Sequence, residues 1–180
     1  ETGSHIQERL LVIMGNASNT RTSNFFLSMC YSKDISLQKS LLGYIRNIRK
    51  EVKAYRQGKQ NANKKDYPRV AAACKMHNNI GKGYSSSCDK RLQRKRPQLH
   101  RLVIKRLSSL GLGKPIKVVK GKDKKPIFIG TCAEDMAATE LLIKEGVNIK
   151  FPTIKNFTQP LRVRTGQKIN MCNVCKNVFK

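Results

Sequence analysis

At 180 residues the chain is long enough for one domain with a real core and a smaller appended subdomain. Its 37 Lys and Arg against 11 Asp and Glu give a net charge of +26, an excess that no fold requires and that points to a polyanionic partner. Nucleic acid, a sulfated glycan and an anionic membrane surface all qualify. No apolar run reaches the roughly 18 residues of a membrane-spanning helix, so a transmembrane span is not expected.

The first apolar run, Leu10–Met14, suits a buried strand or a helix start, and the Asn/Ser/Thr-rich stretch from Gly15 to Asn24 reads as a loop. Leu37, Leu41, Tyr44, Ile45, Ile48, Val52 and Tyr55 then recur at spacings of three and four. They predict a helix capped by Ser32 or Asp34 and stopped by Gly58, with one face in the core and a cationic face outside. Between Lys59 and Lys122 there are 18 basic residues and only Asp66 and Asp89 as acids. Arg69–His77 reads as a short Ala-rich helix and Asn78–Ser87 as a Gly/Ser loop. The run Lys90–Arg96 reads as a solvated cationic face, because Pro97 opposes processing after Arg96. Arg91, Arg94, Lys95 and Arg96 are its candidate polyanion-binding residues.

Leu99, Leu102, Val103, Leu107 and Leu110 predict a second helix ended by Gly111 and Gly113. Ile116–Val119 and Ile127–Ile129 read as two strands around a turn of hairpin composition, Lys120–Lys125. Gly130 then introduces Cys132-Ala-Glu134 at the start of a helix whose apolar side holds Met136, Leu141 and Leu142. Val147–Phe151 and Leu161–Arg164 are further strand candidates, and a last half-turn of helix follows Cys172. No internal repeat is visible.

The six cysteines are Cys30, Cys74, Cys88, Cys132, Cys172 and Cys175. Read blandly they are three disulfides with fifteen connectivities. Cys74 and Cys88 flank a loop of Gly, Ser and Asn and are expected to bridge, leaving Cys30 alone or paired with another chain. Cys132-x-Glu134 followed by Cys172-x-x-Cys175 offers something more specific. Three thiolates can hold zinc and leave one position open, while a carboxylate that is not a ligand moves protons. A helix N-terminus at Cys132 also favours thiolate over thiol. The ordinary alternative is that Glu134 and Asp135 merely complement the helix dipole. His5, His77 and His100 read as surface or packing residues.

An apolar strand, a glycine, Cys-x-Glu opening a helix and a downstream Cys-x-x-Cys together resemble the cytidine deaminase superfamily, most closely its secreted, toxin-type zinc deaminases. The resemblance covers Ile116–Lys180. It implies Cys132, Cys172 and Cys175 as zinc ligands and Glu134 as the proton shuttle for attack of zinc-activated water on a nucleobase. Two departures accompany it: the family carries Pro where this chain has Met171, and only Lys176–Lys180 remains for later strands. The implied fold is α/β (α+β), with a basic, mainly helical region over 1–97 and a small deaminase-like three-layer domain of sheet and helices over 98–180, packed as one unit.

The expected function is therefore a zinc-dependent nucleobase deaminase whose basic regions grip phosphates. The alternative is a non-enzymatic secreted cationic protein of the same fold, binding nucleic acid, glycans or microbial surfaces. Secretion is expected from two sequons, Asn16-Ala-Ser18 and Asn156-Phe-Thr158, and from Glu1-Thr2-Gly3, which resembles the remnant of signal removal in a secretion vector.

Overall fold

The computed structural model describes residues 31–56, 62–116, 127–146 and 150–180, with the side chains of residues 115, 116 and 127 left aside. Asp34 opens the first helix: its Oδ1 accepts the backbone N–H of Ser36 (2.7 Å) and Leu37 (3.1 Å), satisfying two of the donors every helix start leaves open. Helix α1, Ile35–Tyr55, buries Leu37, Leu41, Ile45, Ile48 and Val52 along one stripe. Each of these contributes roughly 1.5–3 kcal/mol on leaving water. The predicted stop at Gly58 and the Leu10–Met14 run lie outside the described residues.

Strand β1, Val70–Met76, and strand β2, Asn79–Tyr84, form an antiparallel hairpin from Ala71↔Tyr84 to Met76↔Asn79. This corrects the reading of 69–77 as a helix and of 78–87 as a loop. The turn is His77-Asn78, with His77 at φ 48°, the left-handed backbone that two-residue hairpin turns require. Two further helices follow, α2 (Lys90–Arg94) and α3 (Arg101–Ser108). Strands β3 (Pro115–Ile116) and β4 (Ile127–Phe128) pair antiparallel as the sequence predicts; their connection, residues 117–126, lies outside the described residues. Helix α4 spans Ala133–Glu145, strand β5 Leu161–Arg162 and helix α5 Asn173–Val178. Val147–Ile149 lies outside the described residues.

The main sheet has the order β2-β1-β5, and the period of two along β1 builds three layers on it. Ala71 and Ala73 join the core under α1, whereas Ala72 and Cys74 join the core under α4. Small side chains on both faces let a helix approach from each side. On β2, Gly81 and Gly83 serve the same end: a β-carbon at Gly81 would stand 2.1 Å from the Ala137 carbonyl oxygen, and one at Gly83 would stand 2.4 Å from that of Ala133. The second core continues through Phe157, Val178 and Phe179, with ring centroids of Phe157 and Phe179 4.7 Å apart.

Residues from both sides of the expected 97/98 boundary share these cores. β5 pairs with β1, and α4 lies on β1 and β2. Where it is described, the basic region over 1–97 supplies helices α1 and α2 together with two of the three strands of the main sheet. The architecture is mixed α/β, and Tyr31–Lys180 form one unit. Among the described residues no helix is long and apolar enough to cross a membrane.

Candidate metal centre

The turn after β4 delivers the first thiol. Gly130 sits at φ 89°, where a side chain would be strained, and Thr131 Oγ1 donates to the Phe128 carbonyl at 2.6 Å. The chain then enters α4 with Cys132 at its N-cap. The other two thiols come from α5 and its N-cap, forty residues further along the chain. Cys172 is the N-cap of α5 and its Sγ accepts the Cys175 N–H at 3.4 Å. Met171, where the family pattern has Pro, is buried and uses the N–H that Pro lacks, donating it to the Tyr31 hydroxyl at 3.0 Å.

Cys132 and Cys172 Sγ are 3.7 Å apart, and all three sulfurs lie within 4.8 Å of one another. The edge of a tetrahedral site with zinc–sulfur bonds of about 2.3 Å is about 3.8 Å, so the trio fits such an ion. Hydrogen bonding within the cluster, from Cys132 first, lowers the Cys172 thiol from its ordinary value. The same pairing pushes Cys132 and Cys175 well above the ordinary thiol value.

Two carboxylates lie beside the sulfurs in the first turn of α4. Glu134 is 4% exposed, and burial pushes its carboxyl up to about 8. Asp135 is fully buried and is raised to about 7, by burial first and then by Cys172. Asp135 Oδ1 accepts the Cys175 thiol at 3.9 Å, and Oδ2 has no partner. Asp135 therefore orients a candidate ligand, a role the sequence reading did not assign to it.

A cavity of about 280 Å3 opens above Cys132, Cys172 and Glu134. Phe128, 46% exposed, forms one wall, and Arg69, Ser85–Ser87, Ile169 and Asn170 form others. The sequence reading missed all of these. They come from strand ends and loops whose convergence depends on the β1–β2 hairpin.

The remaining expected site residues fall elsewhere. The cationic run of 90–96 is split. Arg91 and Lys95 lie over the Tyr55 ring, 5.2 and 5.5 Å from its centroid, and Lys95 also pairs with Glu51. Arg94 is exposed. Arg96 is not a surface cation: it is half-buried, Nη2 donates to the Thr131 carbonyl at 3.4 Å, and Nε is buried without a partner.

The expected Cys74–Cys88 disulfide is not formed, and the five described cysteines are free thiols. Cys74 belongs to the core under α4 and Cys88 packs on the core under α1, so the sheet separates them. At Asn156, Nδ2 donates to the Lys75 carbonyl at 3.1 Å and the sequon's Thr158 is 2% exposed. A glycan there would break a contact that the fold uses. Asn16 and Cys30 lie outside the described residues.

Comparison with protein-family models, with curated proteins and with solved structures finds no match to this chain. What defines the molecule is thus its own geometry: a three-layer α/β unit in which two helix starts bring three thiols together and set Cys132, Cys172 and the buried Glu134 in the lining of one cavity.

Proposed function

We propose that the chain is a zinc-dependent hydrolytic deaminase of nucleobases, with Cys132, Cys172 and Cys175 as the metal ligands and Glu134 as the group that moves protons. One observation carries this reading: the three sulfurs meet at zinc-site distances, and Glu134, two residues from one of them, is buried beside the same cavity. Bound there, zinc would make water nucleophilic near neutral pH. Glu134 would carry the first proton of that water to the ring nitrogen and then the remaining hydroxyl proton to the departing amine, which leaves as ammonia. Phe128 offers an apolar wall for a flat ring. Export from the cell, expected from the sequons, would require the metal to be loaded before the thiols meet an oxidising compartment.

A second reading, a cationic binding protein with a structural metal, is favoured by the charge balance alone. Ammonia release from cytidine, adenosine and single-stranded oligonucleotides separates the two. Wild type loaded with zinc should release ammonia from at least one of them. Glu134→Ala should keep the metal and lose activity by at least the roughly 100- to 10,000-fold typical of general acid–base catalysis. A zinc-loaded wild type inactive on all of them, or an active Glu134→Ala, selects the binding protein.

A further inference from the structure

The acids of the described surface are already committed. Asp34 pairs with Lys75, Glu51 with Lys95, Asp66 with Arg56, Glu140 with Lys144 and Glu145 with His77. Asp89 caps α2, and Glu134 and Asp135 are buried at the centre. Residues 147–180, which include Cys172 and Cys175, hold seven Lys and Arg and no acid. The cations at the cavity mouth thus have no acid of their own to answer them.

Two of those cations are placed by the sheet. Arg69 lines the cavity and is exposed, its N–H donating to Ser85 Oγ at 3.1 Å and its carbonyl accepting the Val163 N–H at 3.2 Å. Arg162 stands opposite Val70 in the β1–β5 ladder. Directly paired residues of an antiparallel ladder project to the same face, and Val70 lines the cavity. Arg162, which is exposed, therefore rises on the cavity side of the sheet, while its neighbours Leu161 and Val163 pack into the core under α1. Among the described residues neither guanidinium has an ion-pair or hydrogen-bond partner. The half-exposed ring of Phe128 lines the same cavity as Arg69, Cys132 and Cys172.

We propose that the cavity takes one nucleotide of a single-stranded nucleic acid, its base against Phe128 and its flanking phosphodiesters on Arg69 and Arg162. This deepens the deaminase reading and rests on it in treating the cavity as the place where a base meets Glu134. A guanidinium in the cavity wall and a second on the same face of the sheet match a base with phosphates on both sides better than they match an uncharged nucleoside. An aromatic wall adds a contact that every base can use and a sulfated sugar cannot use in the same way. A duplex would have to surrender its base from the stack to reach the floor, so the single strand is the fitting form.

The test is a fluorescence-anisotropy titration of a labelled single-stranded decanucleotide over a series of salt concentrations. Wild type is compared with Arg69→Ser/Arg162→Ser, with Phe128→Ala and with a charge-matched control on α2, Lys90→Ser/Arg94→Ser. All four substituted cations are exposed, and thermal unfolding checks that each variant is folded. The rim pair should weaken binding about tenfold near 0.1 M salt and reduce the salt slope by about 1.4, two phosphates' worth on a single strand. Phe128→Ala should weaken it about fivefold or more, and the α2 pair should do less than either.

Equal losses from the rim and α2 pairs would mean that net charge alone binds the strand, and would overturn the proposal. So would a heparin-derived oligosaccharide that loses as much with the rim pair while Phe128→Ala changes neither ligand. Ammonia release is not read here, so the two readings fail separately. Binding as expected without turnover removes the deaminase and keeps the track. Turnover of a free nucleoside with no difference between the two pairs keeps the enzyme and removes the track.

Discussion

Gly83 on β2 faces Ala133 on α4 so closely that a β-carbon on the glycine would stand 2.4 Å from the Ala133 carbonyl oxygen and 2.4 Å from the Ala137 nitrogen. No rotamer change relieves a clash with backbone, and Ala133 lies between Cys132 and Glu134. The absence of one methyl group thus fixes how deeply the centre's helix sits on the sheet.

Gly83→Ala should therefore lower the unfolding free energy by about 1–3 kcal/mol, the usual cost of overpacking, and should also weaken metal retention. Gly43, within α1, has nothing within 4 Å of an added β-carbon. Gly43→Ala should stabilise by about 0.5–1 kcal/mol through helix propensity alone. Urea unfolding of both variants checks the contrast; opposite signs are expected, and a neutral Gly83→Ala would mean that α4 sits further from β2.

The thiols should separate by face. Peptide mapping without reduction should find no Cys74–Cys88 link. Burial pushes the Cys88 thiol up to about 11, and only the thiolate reacts. Alkylation of Cys88 should be slow at pH 7 and rise about tenfold per pH unit towards that value, while Cys74, fully buried and raised by that burial, should react only on unfolding. Mass spectrometry of timed iodoacetamide labelling reads both.

Asp66 links the end of α1 to the chain before β1. Burial by itself would raise its carboxyl, but Arg56 and the Asn63 N–H (2.8 Å) more than offset this and hold it below the usual range. Because the folded value lies below the unfolded value of about 3.9, its contribution is complete above that pH and is lost as pH falls through the folded value. Asp66→Asn should cost about 1–3 kcal/mol near neutrality, and the gap to wild type should close below about pH 4. Unfolding measured across pH 3–7 shows whether it does.

The sequence made α1 legible because Leu37, Leu41, Ile45, Ile48 and Val52 keep a helical period and form one buried stripe. It made the three thiols and Glu134 legible because their order along the chain carries chemistry without any knowledge of the sheet. The β1–β2 hairpin was not legible. Ala71–Ala73 has the composition of a helix, yet these alanines are small because helices press on both faces of the strand. Gly81 and Gly83 look like loop residues for the same reason; their spacing of two was the available signal. The disulfide expectation failed because proximity in sequence says nothing of which face a strand residue takes. The cavity walls were hidden for a related reason, since Arg69, Phe128 and Asn170 meet only once that sheet exists.

Elemental analysis of the purified chain and its variants tests the centre most directly. One zinc per chain is expected in wild type and in Glu134→Gln, with loss of that zinc in each of Cys132→Ser, Cys172→Ser and Cys175→Ser, and retention in Cys74→Ala and Cys88→Ala. A wild type that carries no metal under reducing conditions, or a Glu134→Gln that loses zinc as the cysteine variants do, would contradict a three-thiolate site with Glu134 outside the ligand set.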